Sequence, residues 1–360
     1  MKIPIKNLYY LLSYVWDVNW DINWTSVGIE ENNSALNMLS RILITSTERI
    51  LRKGLDRGYL DDRESIYGIR GRINITESIK SNDISNSRLT CDFDELDYSV
   101  IHNKVIKTTF EALIKTSGID KSLKEEMHFL LGKFQTIDPI KLSISVFSNL
   151  KLNSNNRQYR LPISICHLLY EQLLPNADSG KFEFVELSDE KLFKIFEKFL
   201  FNFYSKHLNE TSYKSIKKEG MTWQDSILVN GNDDFLPSME TDISLFNDHS
   251  RLVIECKFYF SALQVRKFGE NETSGKFISG HIYQLYAYLK NQSLKYRVPI
   301  SGMLIYPENG KNISSHYHIH GHNFLIKTID LDMPAASIHQ NLIEALGFCK
   351  NSVIELELSL

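Results

Sequence analysis

Leu236-Pro237-Ser238-Met239-Glu240-Thr241-Asp242-Ile243-Ser244-Leu245-Phe246 leads through Asn247-Asp248-His249-Ser250 into Arg251-Leu252-Val253-Ile254-Glu255-Cys256-Lys257-Phe258. Two apolar, strand-prone runs flanking turn-forming residues read as a β-hairpin. If Phe246 pairs with Arg251, counting away from the loop places Asp242 opposite Glu255. Side chains alternate along a strand, so Glu255 and Lys257 share one face while Ile254, Cys256 and Phe258 share the other. Cys256 therefore belongs to packing rather than to chemistry.

Directly opposed carboxylates destabilise a strand pair unless something compensates them. A hard divalent cation such as Mg²⁺ would convert that repulsion into a binding site. Lys257 would then counter phosphate charge or help deprotonate a water. Two carboxylates, a metal and a lysine are the parts of metal-assisted phosphodiester hydrolysis. The same spacing also fits an acidic strand face bridged by surface ion pairs of little energetic weight. Glu197, in the middle of a preceding helical stretch, is a further candidate ligand for the metal, or else a solvated helix charge. Gln284 and Tyr288 stand at i and i+4 on a later helix, where an amide and a hydroxyl could touch phosphate or steady the attacking water. Lys206, Lys214, Lys217 and Lys218 form a local basic run, fit either for DNA contact or for a solvated face.

Working outward, Ser188 is an N-cap followed by Asp189 and Glu190, with Leu192, Phe196, Phe199 and Phe203 on one helical face. Strands are expected at 225–229, 240–246, 251–260, 302–306 and 316–325, and helices at 278–290 and 336–348. His316, His318 and His320 alternate along the last-named strand, too spread to share one tetrahedral metal. Upstream, Leu8 to Trp16 is a uniformly apolar helix, and Trp16, Trp20 and Trp24 continue it as a stripe suited to a core or to a partner surface. Ala35 to Lys53 is a helix stopped by Gly54, and further helices are expected at 99–115, 122–134 and 162–174. Ile66 to Ile75 is short, glycine-punctuated and strand-like, with Arg70-Gly71-Arg72 either a tight turn or a basic tip reaching a partner or DNA. The organisation expected is an α+β N-terminal domain (1–174), a linker (175–180) of turn-forming residues, and a C-terminal α/β domain (181–360) with a mixed sheet flanked by helices.

Hydrophobic residues are 42% and charged residues 24% of the 360, a composition that supports a large core and excludes a mostly disordered chain. Lys and Arg number 41 against 44 Asp and Glu, a net charge of −3, so the chain lacks the overall basic balance of a protein that grips nucleic acid unaided. Cys91, Cys166, Cys256 and Cys349 are dispersed, which fits reduced thiols rather than a disulfide framework or zinc knuckle. The start lacks an apolar signal segment and no apolar run is long enough for a bilayer, so a cytoplasmic protein with no membrane contact is expected.

Asp242 followed by Glu255-Cys256-Lys257, with a glutamate-bearing helix before and Gln284 after, is similar to the PD-(D/E)XK nuclease pattern. More specifically, Ile3-Pro4-Ile5-Lys6-Asn7-Leu8-Tyr9-Tyr10-Leu11-Leu12-Ser13-Tyr14, Gly71-Arg72-Ile73, Leu236 to Ile243 and Tyr283-Gln284-Leu285 resemble the McrC family, the nuclease subunits of McrBC modification-dependent restriction systems. The resemblance spans essentially the whole chain. It implies a restriction-endonuclease-like C-terminal domain with Asp242, Glu255 and Lys257 at catalytic positions, and Gln284 is taken as a further catalytic candidate. Asp242, Glu255 and Glu197 would serve as Mg²⁺ ligands. It also implies a docking domain, Arg70 and Arg72 included, for a McrB-like AAA+ GTPase hexamer that recognises methylated double-stranded DNA and whose GTPase this chain stimulates. GTP would be bound by that partner, because no G-x-x-x-x-G-K-[ST] loop occurs here. The family commonly has Asp-x-Lys where this chain has Glu255-Cys256-Lys257, a longer acid that the wider pattern allows. A non-catalytic, GTPase-stimulating assembly subunit with a degenerate nuclease site is the alternative.

Overall fold

The computed structural model describes residues 5–17, 34–175, 182–258, 263–264, 267–268, 271–272 and 275–357. Helix α1 (Ile5–Val15) opens them. There follow α2 (Ala35–Lys53), strands β1 (Gly58–Ile66) and β2 (Arg72–Ile73), α3 (Ile75–Lys80), β3 (Leu89–Asp97), α4 (Ile101–Ile114) and α5 (Lys121–Leu131). Next come α6 (Ile144–Asn149), α7 (Arg160–Gln172) and a short pair, β4 (Leu173–Pro175) with β5 (Phe182–Phe184). The third group is α8 (Asp189–Lys206), β6 (Ser215–Met221), β7 (Met239–Phe246), β8 (Arg251–Cys256), α9 (Ser279–Lys295), β9 (Ile300–Pro307), β10 (Ser314–Ile319), β11 (His322–Ile329) and α10 (Ala335–Glu357).

Two compact units divide the chain, Ile22–Glu186 and the combination of Met1–Asp21 with Leu187–Leu360. The sequence reading of 1–174 and 181–360 as the two domains is therefore corrected twice: Phe182–Glu186 stay with the earlier unit, where β5 pairs with β4, and the chain's start joins the later one. The reason for the second lies in α1: Leu8, Tyr9, Tyr10, Leu11 and Leu12 are all buried, and Tyr10 and Tyr14 pack edge-on to Phe199 of α8. An isolated helix that apolar has no solvated face, so it joins the aromatic stripe of α8. Trp20, Trp24, Phe260 and residues 176–180 of the expected linker lie outside the described residues.

The unit Ile22–Glu186 combines helices with a three-stranded antiparallel sheet in the order β1-β3-β2. Helix α2 has the bounds read from sequence: the Ser34 side chain accepts the Asn37 N–H, and Gly54 ends the helix at φ 92°. Gly71 turns the chain back toward β3 at φ 66°, where a Cβ would lie 2.5 Å from the Asp92 carbonyl oxygen.

In the other unit a six-stranded mixed sheet runs β10-β11-β9-β8-β7-β6. Strand β9 is parallel to β8 and β11, and the remaining neighbours are antiparallel. Every residue of β8 and β9 is buried, as expected of central strands carrying Leu252-Val253-Ile254 and Met303-Leu304-Ile305. Helix α9 covers one face through Leu285 and Leu289, which cluster with Val253, Leu304 and Tyr306. Gly302 admits that approach, since a Cβ there would meet Leu285 at 2.8 Å. Helix α8 packs on β7 and β8 with Phe196, Phe199 and Phe203 buried.

Three strand expectations change. Residues 225–229 form no strand: Ile227, Leu228 and Val229 stand exposed in a loop, while the lysine-bearing 215–221 stretch is edge strand β6. Outward charges guard an open sheet edge, and that hides the strand from a hydrophobicity count. The expected 316–325 strand is two strands, β10 and β11, joined where His320 and Gly321 take φ 49° and 84°. The strand starting at Arg251 ends at Cys256, so Lys257 lies just beyond it.

Candidate active site

The β7–β8 ladder runs from Phe246↔Arg251 to Ile243↔Ile254, the register counted from the sequence. At the next position side chains take over from the backbone. Cys256 N–H donates to Asp242 Oδ2 at 2.8 Å, and Asp242 N–H donates to Glu255 Oε1 at 3.4 Å. Each carboxylate thus stands where a strand carbonyl would otherwise accept. The strands part there, and the two acids stay together.

Lys257 N–H continues the pairing by donating to Ile305 O at 2.9 Å. Its ammonium donates to Glu255 Oε2 at 3.2 Å and to Gln284 Oε1 at 2.9 Å. The Gln284 amide in turn donates to Glu255 Oε2 at 3.1 Å and to the Tyr288 hydroxyl at 2.9 Å. Helical spacing sets Gln284 and Tyr288 on one face, and the adjoining Leu285 and Leu289 pack closely on Gly302 of β9, the strand beside β8. Asp242, Glu255, Lys257, Gln284 and Tyr288 therefore form one connected group.

The electrostatics of the group are unbalanced. Glu255 is only 1% exposed. Burial, followed by the nearby Asp242 charge, pushes its carboxyl up to about 7 against the pull of Lys257. Asp242 is raised as well, chiefly by burial, against the Cys256 N–H and with Glu197 adding repulsion. One lysine in contact with Glu255 does not neutralise both the buried Glu255 and the half-buried Asp242, and an all-oxygen pair of acids is the donor chemistry that a hard divalent cation takes.

Glu197, on α8, is ion-paired to Lys218 of β6, and the charges of both reach Asp242. Of the four lysines singled out in the sequence, Lys218 is thus the one this geometry brings to the acids. Lys214 pairs with Asp248, Lys217 lies 3.1 Å from Glu219, and the Lys206 ammonium sits over the Tyr14 ring at 5.4 Å. In the other unit, Arg70 and Arg72 line a concavity of about 870 Å³ with Arg63, Asp92 and Phe93. There Arg70 stacks over Phe93 at 4.0 Å and lies 3.6 Å from Glu95.

His281 went unnoticed in the sequence. It precedes Gln284 by one turn in His281-x-x-Gln284-x-x-x-Tyr288, and this spacing was the available signal. Its Nδ1 lies 2.8 Å from the Tyr306 hydroxyl, and burial, then Lys257, lowers it to about 4. The ring is neutral at physiological pH. His316 and His318 both approach the Asn323 side-chain oxygen, and His320 approaches the Tyr286 hydroxyl. Among the described residues, a group of three ligand side chains with all ligand atoms within 4.8 Å of one another occurs at His207, Glu210 and His339.

Comparison with known proteins gives these features a setting. The family described as McrBC 5-methylcytosine restriction system component matches residues 5–307. The chain is 28% identical over 344 residues to the type IV methyl-directed restriction enzyme EcoKMcrBC of Escherichia coli strain K12, covering 95% of this chain and 97% of that protein. Its fold is similar to one in a half-complex of a tetradecameric assembly of Thermococcus gammatolerans McrB AAA+ hexamers with bound McrC. That likeness has a TM-score of 0.59 at 15% identity and covers 96% of this chain and 76% of the other. With the family matched over most of its length, the chain belongs to the McrBC 5-methylcytosine restriction-system components.

Proposed function

We propose that this chain is the endonuclease subunit of its restriction system, with a PD-(D/E)XK site that hydrolyses phosphodiesters in methylated double-stranded DNA. It acts in the cytoplasm, assembled with a McrB-like AAA+ hexamer whose GTPase it stimulates. The observation that carries this reading is the convergence of Asp242, Glu255, Lys257 and Gln284 at the parted end of β7 and β8. The E. coli relative supports the methylated substrate and the Thermococcus assembly supports the partner. No described helix is long and apolar enough to cross a membrane.

Asp242 and Glu255 would hold Mg²⁺, with Glu197 as a third carboxylate released from Lys218. The ion would polarise the scissile phosphate and lower the pKa of the attacking water. Lys257 places a positive charge beside the acids, where it would meet the negative charge that develops on phosphate oxygens. Gln284 fixes both Lys257 and Glu255, so neither must reorganise during the reaction. Tyr288 holds the Gln284 amide and adds a hydroxyl for a phosphate oxygen. Lys218, with Lys206, Lys214 and Lys217 as outlying contacts, would meet the DNA backbone. Arg70 and Arg72 would face the partner. A near-neutral subunit needs no broad phosphate grip when that partner supplies recognition.

The test is cleavage of methylated and unmethylated plasmid by the complex with GTP and Mg²⁺, comparing wild type with Lys257→Ala. Cutting of methylated DNA by wild type alone, with GTPase stimulation kept by the variant, is the expected result. Equal cutting by both removes Lys257 from the chemistry. Stimulation of the GTPase with no cutting by either favours a purely assembling subunit.

A further inference from the structure

Away from the acidic group, α8, the turn after it and α10 bring together His207, Glu210 and His339. His207 caps the C-terminus of α8, Glu210 lies in the 3₁₀ turn that follows, and His339 stands near the start of α10. His207 Nδ1 is 2.6 Å from Glu210 Oε1, and His339 Nε2 is 2.8 Å from Glu210 Oε2. The two imidazoles meet edge to face at 4.4 Å. Phe203 backs both, its ring 4.8 Å from His207 and 5.1 Å from His339. Behind His207, the Tyr14 hydroxyl of α1 lies 2.9 Å from Nε2.

We propose that this cluster is a binding site for a transition-metal ion of the zinc type, ligated by His207 Nδ1, His339 Nε2 and the Glu210 carboxylate. Two imidazole nitrogens and one carboxylate are a donor set that Zn²⁺ takes, with the fourth position left to water. Glu210 spends one oxygen on each ring, so ligand atoms from the end of α8 with its turn and from α10 already meet. Arms of about 2.0–2.1 Å put tetrahedral ligand atoms about 3.3 Å apart; the three ligand atoms lie within 4.8 Å of one another, and Glu210 would withdraw from each ring by about half an ångström. It has the freedom to do so, being 40% exposed on a short turn. Tyr14 completes the arrangement. Ligation through Nδ1 puts the His207 proton on Nε2, where it donates to the Tyr14 oxygen and orients the ring. The acids around Asp242 offer oxygen only, so the two sites sort hard from softer cations. The metal would clamp α1 and α10 to α8, independently of any nuclease chemistry.

Titration of the metal-free full chain with Co²⁺, read by visible absorption, tests the assignment. Wild type is expected to show an intense four-coordinate band at one equivalent, displaced by Zn²⁺, and Asp242→Asn keeps it. His339→Ala and His207→Ala weaken Co²⁺ binding at least about 100-fold, and Tyr14→Phe weakens it about 10-fold with the band shape kept. Zn²⁺ raises the melting temperature of wild type and leaves that of His339→Ala unchanged. Should His207→Ala, packed on Phe203, fail to fold, the partly exposed His339 decides the matter, with circular dichroism reporting its fold. No such band at millimolar Co²⁺, or a band that survives in His339→Ala, overturns the proposal and leaves a hydrogen-bonded His–Glu–His clasp.

Discussion

Glu219 and Glu255 are buried glutamates in one sheet, served by one helix, and their charges meet opposite fates. Glu219 of β6 is paired with Arg251 at the loop end of the β7–β8 hairpin. It also accepts from Gln292 at 3.1 Å and Tyr296 at 2.8 Å, and lies 3.1 Å from the Lys217 ammonium. Arg251 is itself stacked 3.8 Å over Tyr296 and donates to Gln292 at 3.2 Å. Burial alone would raise the Glu219 carboxyl, but Tyr296, Lys217 and Arg251 outweigh it and hold it below its ordinary value. At the other end of the hairpin Glu255 has Lys257 and Gln284, with Asp242 as a like-charged neighbour, and is pushed up to about 7.

Helix α9 and its C-cap offer the same residue types to both, Gln292 and Tyr296 at one end, Gln284 and Tyr288 eight residues earlier. Burial, then, does not separate scaffold from site. What separates them is whether the buried charge is satisfied, because an unsatisfied one stores the free energy that a ligand can release.

The largest effect expected is on chemistry. Lys257→Ala should lower DNA cleavage by the assembled complex about 10³-fold while thermal melting stays cooperative. A variant that cuts at the wild-type rate would erase the functional half of the contrast. On the scaffold side, Arg251→Met leaves Glu219 without its buried cationic partner and should cost about 3–5 kcal/mol in denaturant unfolding. Adding Glu219→Gln should return a large part of that loss, and a single-variant cost below about 1 kcal/mol would show that Glu219 is no better satisfied than Glu255.

Glu255→Gln should act in the opposite direction and stabilise the metal-free chain by about 2 kcal/mol at pH 8. The native Glu255 carboxyl is raised from 4.5 to about 7, so its favourable contribution is full below pH 4.5 and is lost as pH rises through 7. The gap between variant and wild type should therefore open over that window, and millimolar Mg²⁺ should stabilise wild type but not the variant. Equal stability at pH 5 and pH 8 would contradict the sign.

His281→Asn sharpens the comparison with the smallest effect. The native ring is lowered from 6.5 to about 4, so its contribution is present above pH 6.5 and is lost as pH falls toward 4. Wild type should lose about 1–2 kcal/mol across that window relative to the variant, which unfolding curves at pH 7 and pH 4.5 would measure.

Local patterning carried much of this into the sequence. The bounds of α2 followed from its apolar spacing and the stop at Gly54, and the Asp242–Glu255 opposition followed from counting across the Asn247–Ser250 loop. Strand β6 was hidden because Lys217 and Lys218 protect an edge, and the apolar Ile227-Leu228-Val229 run misled because no neighbouring strand pairs with it. The place of α1 depended on a partner, Phe199, far along the chain.

By itself the sequence determined which candidate residues share a face, because hairpin register and helical periodicity are set by neighbours a few residues apart. Tertiary structure alone decided which charges would be left unsatisfied. Gln284 reaches Lys257 across 27 residues, Gln292 reaches Glu219 across 73, and His339 reaches Glu210 across 129. Those distances close only when α9 and α10 dock on the sheet, and the energy of a buried charge depends on what docking brings beside it.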